Sequence, residues 1–151
     1  MNGTRWGMLG LVWACVACGE DADPLVPAVD DEVLVLTQSA GLEWFPDSFY
    51  QGSLVFDGAG CIRLDLPSGD DASVVWPSGT TLWTRGDRRV LRDSSGRELY
   101  GEGDRLRFSG GYIAAIGEVS DYSAAQREAA RERCPGPYWL VTPGSVRRFS
   151  S

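Results

Sequence analysis

Residues Leu54 to Gly111 read LVFDGAGCIRLDLPSGDDASVVWPSGTTLWTRGDRRVLRDSSGRELYGEGDRLRFSGG. Short apolar runs alternate here with clusters of Gly, Pro, Ser and Asp about every eight to twelve residues, a spacing typical of an antiparallel sheet that closes on itself. Between Cys61 and Leu66, apolar and polar residues alternate, so that Ile62 and Leu64 share one face. The stretch predicts a mainly β domain.

One hairpin follows from the turn residues inside this stretch. Thr80–Thr84 and Arg89–Asp93 are β-rich runs that flank Arg85-Gly86-Asp87, and such a short glycine-containing connection favours antiparallel pairing. A further strand is expected at Glu98–Tyr100, after the turn Asp93–Gly96.

The end of the stretch predicts a strand followed by an interruption. Arg105–Ser109 alternates, which places Leu106 and Phe108 towards the core. Gly110-Gly111 predicts a break or a bulge, and Tyr112–Val119 predicts another strand.

The chain before the stretch contains a compact apolar run and an aromatic loop. Val33–Thr37 reads VLVLT and predicts a first strand, buried on both faces. Gln38–Tyr50 is irregular and rich in aromatic residues around Pro46. We expect it to pack onto the domain as a lid or plug, the alternative being a stacking platform for a ligand.

One helix is predicted late in the chain. Ser123 and Gln126 have the spacing of a capping box, and the run to Arg133 is rich in Ala, Arg and Glu. Cys134-Pro135 ends the helix, and Tyr138–Thr142 forms a last apolar strand. The predicted fold is a small antiparallel β-barrel resembling an OB-fold, or a two-sheet sandwich, with one late α-helix.

The N-terminus has the order of a bacterial lipoprotein signal. Arg5 precedes a twelve-residue apolar run, Trp6–Ala17, which is shorter than the roughly 20 residues of a membrane-spanning helix. Cys15-Val16-Ala17-Cys18 resembles the site where a signal peptidase cuts before an acylated cysteine, although Cys15 stands where Leu is usual. An ordinary signal peptide cut nearby is the alternative.

This reading divides the chain into three parts. Residues 1–17 are the expected signal peptide, and residues 18–32 are an acidic tether with six carboxylates between Gly19 and Glu32. Residues 33–151 form the β-domain. The expected location is the extracytoplasmic side of the bacterial cell envelope, in the periplasm or on the cell surface, with the membrane contacted through the lipid anchor at Cys18.

Composition excludes several function classes. The chain of 151 residues has a formal net charge of −7 and contains no His, so Ser-His-Asp and Cys-His catalysis and His-containing zinc sites are excluded. The acidic balance argues against nucleic acid as a partner, and no cofactor motif is present. The basic residues are concentrated in the second half, where residues 81–151 contain twelve Arg and nine acidic residues.

Cys61 and Cys134 are the two cysteines of the expected mature domain beyond Cys18. Export to an oxidising compartment favours a disulfide between them. Cys61 begins a strand and Cys134 ends the helix, so the bond would hold the helix against the barrel. Two free buried thiols are the alternative.

The remaining candidate site residues are aromatic or acidic. Trp44, Trp76, Trp83 and Trp139 could bind a sugar or peptide if they share an exposed face; otherwise they fill the barrel and its ends. Three functions stay open: a binding or envelope-structural domain with an unknown protein or glycan partner, a carbohydrate- or peptide-binding module, and a carboxylate-dependent hydrolase.

Several short motifs resemble small uncharacterised bacterial secreted or lipoprotein β-domains. They are GCIRL at 60–64, VWPSG at 75–79 and CPGPYW at 134–139, together with Gly103–Leu106 and Gly110-Gly111. The resemblance implies a small β fold and an envelope location, and it implies no activity.

Replacing Cys18 with Ser should release the protein from the membrane fraction and remove the mass of the acyl chains. Several chains at about 0.8 kcal/mol per buried CH₂ make attachment effectively permanent. Cell fractionation and mass spectrometry check this. Unchanged membrane retention together with unchanged mass would contradict lipidation.

Overall fold

The computed structural model describes residues 25–27, 33–65, 69, 71–97 and 99–149. The predicted signal peptide, Cys18 and most of the predicted tether lie outside these residues. The described chain is mainly β with one α-helix, as predicted.

The elements are numbered in chain order. The strands are β1 Leu25–Pro27, β2 Ser48–Phe56, β3 Ile62–Asp65, β4 Ala72–Val75, β5 Thr81–Arg85, β6 Arg88–Arg92, β7 Leu99–Gly101, β8 Arg105–Ile113, β9 Tyr138–Val141 and β10 Arg147–Arg148. The helix α1 spans Ala124–Arg133, and a 3₁₀ turn spans Ile116–Glu118.

Five of these strands close into a barrel. The order is β8-β2-β3-β4-β9, and β9 pairs again with β8. Four of the pairings are antiparallel, whereas β4 and β9 are parallel. Because the sheet closes on itself, the fold is the predicted barrel and not the alternative sandwich. The strand order resembles that of the five-stranded Greek-key barrel of OB-folds. The barrel departs from the predicted antiparallel arrangement only at the parallel β4–β9 pair.

The barrel closes where β8 passes from one partner to the other. Residues 105–110 of β8 pair with β2, and residues 110–113 pair with β9. A Cβ on Gly110 would lie 1.9 Å from the carbonyl oxygen of Leu140 and 2.7 Å from Nε1 of Trp139, so only glycine fits. The predicted break at Gly110-Gly111 is wrong, because β8 runs through both glycines without interruption.

The predicted strand Tyr112–Val119 is also wrong. β8 ends at Ile113 and the chain turns into the 3₁₀ segment. Ile116 and Val119 are buried at a spacing of three residues, which suits a helical turn rather than an alternating strand.

Alternating apolar residues of the barrel strands fill its interior. Leu54, Leu64, Leu106 and Phe108 are at most 1% exposed. Tyr50 stacks on Phe108 with ring centroids 5.4 Å apart, and Trp139 lies across both rings. The inward positions predicted for Leu106 and Phe108 are confirmed.

A second core cluster lies between the outer wall of the barrel and helix α1. Its buried members include the small residues Cys61, Ala130 and Cys134 and the strand residues Val75 and Leu140. The capping box at Ser123 is present: its hydroxyl accepts from Gln126 N, and the Gln126 side chain accepts from Ser123 N. The predicted start of the helix is confirmed.

The predicted disulfide is formed at the centre of this cluster. Cys61 and Cys134 are bonded, with Cα atoms 5.4 Å apart, and both are fully buried. The bond joins the start of β3 to the end of α1, and so fixes the helix to the barrel.

The segment predicted as the first strand packs as extended chain rather than as a regular strand. Leu34 and Thr37 make isolated parallel bridges to Cys61 and Trp76. Gln38 is buried, and its side-chain amide donates to the carbonyls of Val75 and Val141. Two barrel strands thus supply acceptors that a sequence pattern does not reveal.

Strands β5, β6 and β7 form a second sheet outside the barrel. The predicted hairpin is confirmed, with Arg85 opposite Arg88 at the turn. Residues 25–27, inside the predicted tether, pair with β5 as an edge strand. All described members of both core clusters lie between Val33 and Val146, so residues 19–151 contain every one of them.

Replacing both Cys61 and Cys134 with Ala should lower the free energy of unfolding by about 4 kcal/mol, because the bond closes a loop of 73 residues in the unfolded chain. Urea denaturation of residues 19–151 checks this. The reduced wild-type domain is the matched control and should lose a similar amount. Unchanged midpoints in both would contradict a stabilising bond.

Candidate functional site

A small cavity lies between one end of the barrel and the second sheet. Its volume is about 80 Å³. The lining residues come from four chain segments: Trp76, Pro77 and Thr80 between β4 and β5, Asp93 and Ser94 after β6, Tyr100 in β7, and Pro143, Gly144 and Val146 after β9. The cavity therefore exists only when the second sheet is folded against the barrel.

Two stacked aromatic rings form the inner wall of this first cavity. Trp76 and Tyr100 have ring centroids 6.4 Å apart and an interplanar angle of 15°. Trp76 is 1% exposed, and within the described chain its indole Nε1 has no hydrogen-bond partner. A buried N–H without an acceptor is costly, so a polar group that reached it would be bound favourably.

Hydroxyl groups add polarity to the same wall. Thr80 is buried, and its Oγ1 donates to the carbonyl oxygen of Pro77 at 2.8 Å. The hydroxyl of Tyr100 donates to the carbonyl oxygen of Val146 at 3.3 Å. The first cavity thus combines aromatic surface with hydroxyl groups, the usual composition of a small-molecule site.

A second cavity of about 220 Å³ shares Asp93 and Ser94 with the first. Its other lining residues are Gly79, Thr81, Trp83, Arg92, Ser95 and Gly96. The guanidinium of Arg92 lies 4.9 Å from the centre of the Trp83 ring, and Trp83 Nε1 donates to Thr81 Oγ1 at 2.8 Å. Side-chain hydrogen bonding and cation–π contact together fix the indole on the sheet.

The turn after β6 separates the two cavities. Asp93 Oδ1 accepts from the backbone N and the hydroxyl of Ser95, at 2.9 and 2.7 Å. Its second oxygen has no hydrogen bond to another described residue. A Cβ on Gly79 would lie 2.8 Å from Cβ of Ser94, and Gly79 has φ 81°, so the Pro77–Gly79 turn packs closely on this one. The Asp93 carboxylate is therefore held by hydrogen bonds within its own turn, and that turn packs against the Pro77–Gly79 turn.

The four tryptophans named from the sequence do not share one exposed face. Trp139 lies inside the barrel and Trp76 lies at its end, both buried. Trp44 is 51% exposed on the loop before β2, while Trp83 is half-buried on the second sheet. The structure brings Trp76 and Trp83 to adjoining cavities and leaves the other two elsewhere.

Sequence reasoning treated residues 93–96 only as a turn and missed that Asp93 and Ser94 line both cavities. The Asp-Ser-Ser-Gly pattern indicates a turn, but no local signal shows what packs against it. The exposed ring of Tyr112, at 51%, was also missed, whereas Phe49, at 55%, belongs to the segment Gln38–Tyr50 that was predicted to be rich in aromatic residues.

A third cavity, of about 540 Å³, contains a carboxylate that is already engaged. Asp57 accepts from the backbone N of Ala59 and Cys61 and forms an ion pair with Arg63 at 2.7 Å. Burial raises the pKa of Asp57, but these hydrogen bonds and the charge of Arg63 outweigh it and hold the pKa below its usual value. Such a carboxylate is unsuited to donate a proton at neutral pH.

Asp104 is held in the same way, by different partners. It pairs with Arg88 at 2.6 Å and with Arg148 at 2.9 Å, and accepts from Gly101 N at 2.7 Å. Burial acts to raise its pKa, and these three partners lower it overall. Asp104 therefore joins β6, the turn before β8, and β10.

Neither a metal cluster nor a paired acid site emerges from the described residues. They contain no group of three or more His, Cys, Asp or Glu side chains that could hold a metal ion. Among the described residues, each of the three cavities is lined by a single carboxylate, Asp93 or Asp57. The predicted lipidation site, Cys18, lies outside the described chain.

Comparisons with protein-family models, with curated proteins and with solved structures found no match. Within the described part of the chain, no helix has the length and apolar character needed to cross a membrane.

Replacing Asp104 with Asn should lower the free energy of unfolding at pH 7 by about 1–2 kcal/mol, because two partly exposed ion pairs and a charged hydrogen bond are weakened. Because folding lowers the pKa of Asp104 from 3.8, its stabilisation is present above that value and is lost as the pH falls through the folded pKa. The difference between wild type and variant should therefore shrink below about pH 4.

Urea denaturation over a pH series measures this difference. Asp121→Asn is the control, since Asp121 is exposed and has no ion pair with another described residue. A difference for Asp104→Asn that stayed constant down to pH 2 would contradict the account.

Proposed function

We propose that this chain is a lipid-anchored, extracytoplasmic binding domain of the bacterial envelope, and that its ligand is a sugar unit of an envelope glycan. The anchor is Cys18, and the ligand site consists of the two cavities that share Asp93 and Ser94. A purely structural or protein-binding role is the alternative.

The disulfide supports the extracytoplasmic location. Disulfides persist in oxidising compartments and are rare in the cytosol. The Cys61–Cys134 bond is fully buried in the second core cluster, where it is part of the packing of α1. The apolar run before Cys18 supports export independently.

The unpartnered Nε1 of buried Trp76 is the observation that carries the ligand proposal. The stacked rings of Trp76 and Tyr100 line the first cavity together with Asp93, and a polar group that reached the buried Nε1 would supply its missing acceptor. Sugars present hydroxyl or acetamido oxygens for such a donor, hydroxyl hydrogens for a carboxylate, and C–H faces for aromatic rings. A volume of about 80 Å³ suits a substituent such as an acetamido or hydroxymethyl group.

The second cavity suits the sugar ring itself. It is larger, at about 220 Å³, and has the half-buried Trp83 indole on one wall and the Asp93 carboxylate on another. Arg92 covers part of the Trp83 ring and adds donors that hydroxyl oxygens accept. A ring bound here would place its substituent in the first cavity, across the Asp93–Ser94 turn.

The hydrolase alternative gains less support from this geometry. Glycoside hydrolysis uses two carboxyl groups that flank the scissile bond. Of the lining residues that the structure describes, Asp93 is the one carboxylate in either ligand cavity. The arrangement therefore favours binding over cleavage.

Titration with N-acetylglucosamine oligosaccharides and with muramyl disaccharide, followed by calorimetry and NMR, tests the proposal on residues 19–151. Asp93→Asn keeps the Oδ1 acceptor of the turn and removes the charge, and should weaken binding about 10- to 100-fold. Trp83→Ala should weaken it about 2- to 10-fold, and Trp83→Phe should restore part of the loss.

Trp44→Ala is the matched control, since it removes an indole that lines neither cavity. The absence of any saccharide binding, or equal losses in Trp44→Ala and Trp83→Ala, would contradict the glycan site. Binding of peptides instead, with the same dependence on Asp93, would keep the cavities as the site and replace the ligand class.

A further inference from the structure

The second cavity contains a positive charge that has no counterion among the described residues. Arg92 is the last residue of β6 and lies half-buried in the lining of this cavity. Its guanidinium contacts the Trp83 ring but forms neither a hydrogen bond nor an ion pair with another described residue. In the proposed function Arg92 is only a donor to hydroxyl oxygens, which leaves its charge without a role.

Two neighbours confine this guanidinium. Its Cζ lies 4.9 Å from the centre of the Trp83 ring, and a Cβ built on Gly96 would lie 2.7 Å from its Nε and 2.8 Å from its Cζ. Gly96 has φ 67°, a conformation that favours glycine, so the turn can approach the side chain closely. Trp83 Nε1 in turn donates to Thr81, the residue opposite Arg92 in the β5–β6 pair. The guanidinium is therefore positioned before any ligand binds.

A confined and half-buried charge of this kind favours an anionic ligand. A guanidinium stacked on a ring still has in-plane N–H groups for acceptors, and its fork matches the oxygens of a carboxylate or a phosphate. A sugar hydroxyl could accept from the same N–H groups, but it would leave the charge of Arg92 uncompensated. Hydrogen bonds between charged groups contribute more than those between neutral groups. An acidic group is therefore the better partner for Arg92.

Asp93 limits the kind of anion. It is the next residue and lines the same cavity, yet it forms no ion pair with Arg92 or with another described residue. A ligand in this cavity therefore meets a guanidinium and a carboxylate. A phosphate monoester carries about 1.5 to 2 negative charges at pH 7, whereas a carboxylate carries one, so Asp93 repels the phosphate more strongly. The cavity is better suited to a carboxylate.

The rest of the lining is rich in hydroxyl groups. Thr81, Ser94 and Ser95 line the cavity together with Asp93. Serine and threonine hydroxyls both donate and accept hydrogen bonds, and an ionised aspartate accepts them, so all four side chains can pair with sugar hydroxyls. The arrangement therefore matches a molecule that carries one acidic group and several hydroxyl groups.

We propose that the second cavity selects a sugar that carries a carboxylate, and that Arg92 determines this specificity. The ligand carboxylate accepts hydrogen bonds from the Arg92 guanidinium, and ring hydroxyls donate to Asp93. This inference rests on the proposed glycan site and names the class of sugar that the site binds. Uronic acids have the required carboxylate on the ring, and muramic acid has it on a lactyl ether.

Matched pairs of sugars test this specificity on residues 19–151. Methyl glucuronide is compared with methyl glucoside, and N-acetylmuramic acid with N-acetylglucosamine, by NMR titration and calorimetry. In at least one pair the acid should bind about 10- to 100-fold more tightly than the neutral sugar. The pair that shows the difference identifies where the carboxylate is attached. Raising the salt concentration should reduce the difference, because the attraction between charges is screened.

Substitutions at Arg92 locate the effect. Arg92→Gln should lower the affinity for the acid to about that for the neutral sugar, since only the charged hydrogen bonds are lost. Arg92→Lys keeps the charge without the planar fork and should retain part of the difference. Arg97→Gln is the matched control, because it removes the same charge from an exposed residue that lines none of the three cavities. Thermal melts establish that each variant is folded, and the comparison of sugars in the wild type decides the proposal without any variant.

The outcomes separate this inference from the proposed function. Equal affinities for acidic and neutral sugars, with binding that depends on Asp93, would overturn the carboxylate specificity and leave the glycan site in place. Equal losses for Arg92→Gln and Arg97→Gln would show an effect of net charge alone and overturn the role of Arg92.

Two further probes test the ligand class. Tighter binding of glucose 6-phosphate than of either acidic sugar would overturn the preference for a carboxylate. Acetate that bound as tightly as the acidic sugars would show that only the anion is recognised, and would overturn the selection of a sugar. If no saccharide bound at all, the proposed glycan site would be wrong, and the specificity of Arg92 with it.

Discussion

The closure of the barrel depends on strand β8 changing partners at Gly110 and Gly111. A Cβ at Gly110 would meet the carbonyl oxygen of Leu140 and the indole nitrogen of Trp139, and a Cβ at Gly111 would lie 2.3 Å from Pro46. The absence of side chains allows β9 to approach Gly110 closely and Pro46, in the loop before β2, to approach Gly111. Without this close approach β8 could pair with β2 alone, and the parallel β4–β9 pair would have no strand to close against.

The remaining parts of the molecule are attached to the barrel by a few polar and covalent links. The disulfide holds α1 against the outer wall, and the Gln38 amide holds the extended segment after residue 33 across β4 and β9. Asp104 links β6, the turn before β8, and β10 through its two arginines. Of these links, the one through Asp104 connects the second sheet to the barrel side of the molecule, and the first cavity lies between the barrel and that sheet.

The candidate ligand site depends on how these parts are joined, because the Asp93–Ser94 cavities lie where the second sheet meets the barrel end. Asp57 and Asp104 are engaged in ion pairs, and Asp93 accepts hydrogen bonds within its turn.

The sequence alone was enough to predict those features that depend on residues close together along the chain. These are the alternation that buries Leu106 and Phe108, the β5–β6 hairpin, the capping box at Ser123, and the pairing of Cys61 with Cys134 in a disulfide. Tertiary structure alone decided that Gly110 continues a strand, that Trp76 and Trp83 border adjoining cavities, and that Arg107 lies opposite Arg147. The physical reason is that side-chain periodicity is local, whereas the register between strands distant in sequence depends on how the whole barrel closes.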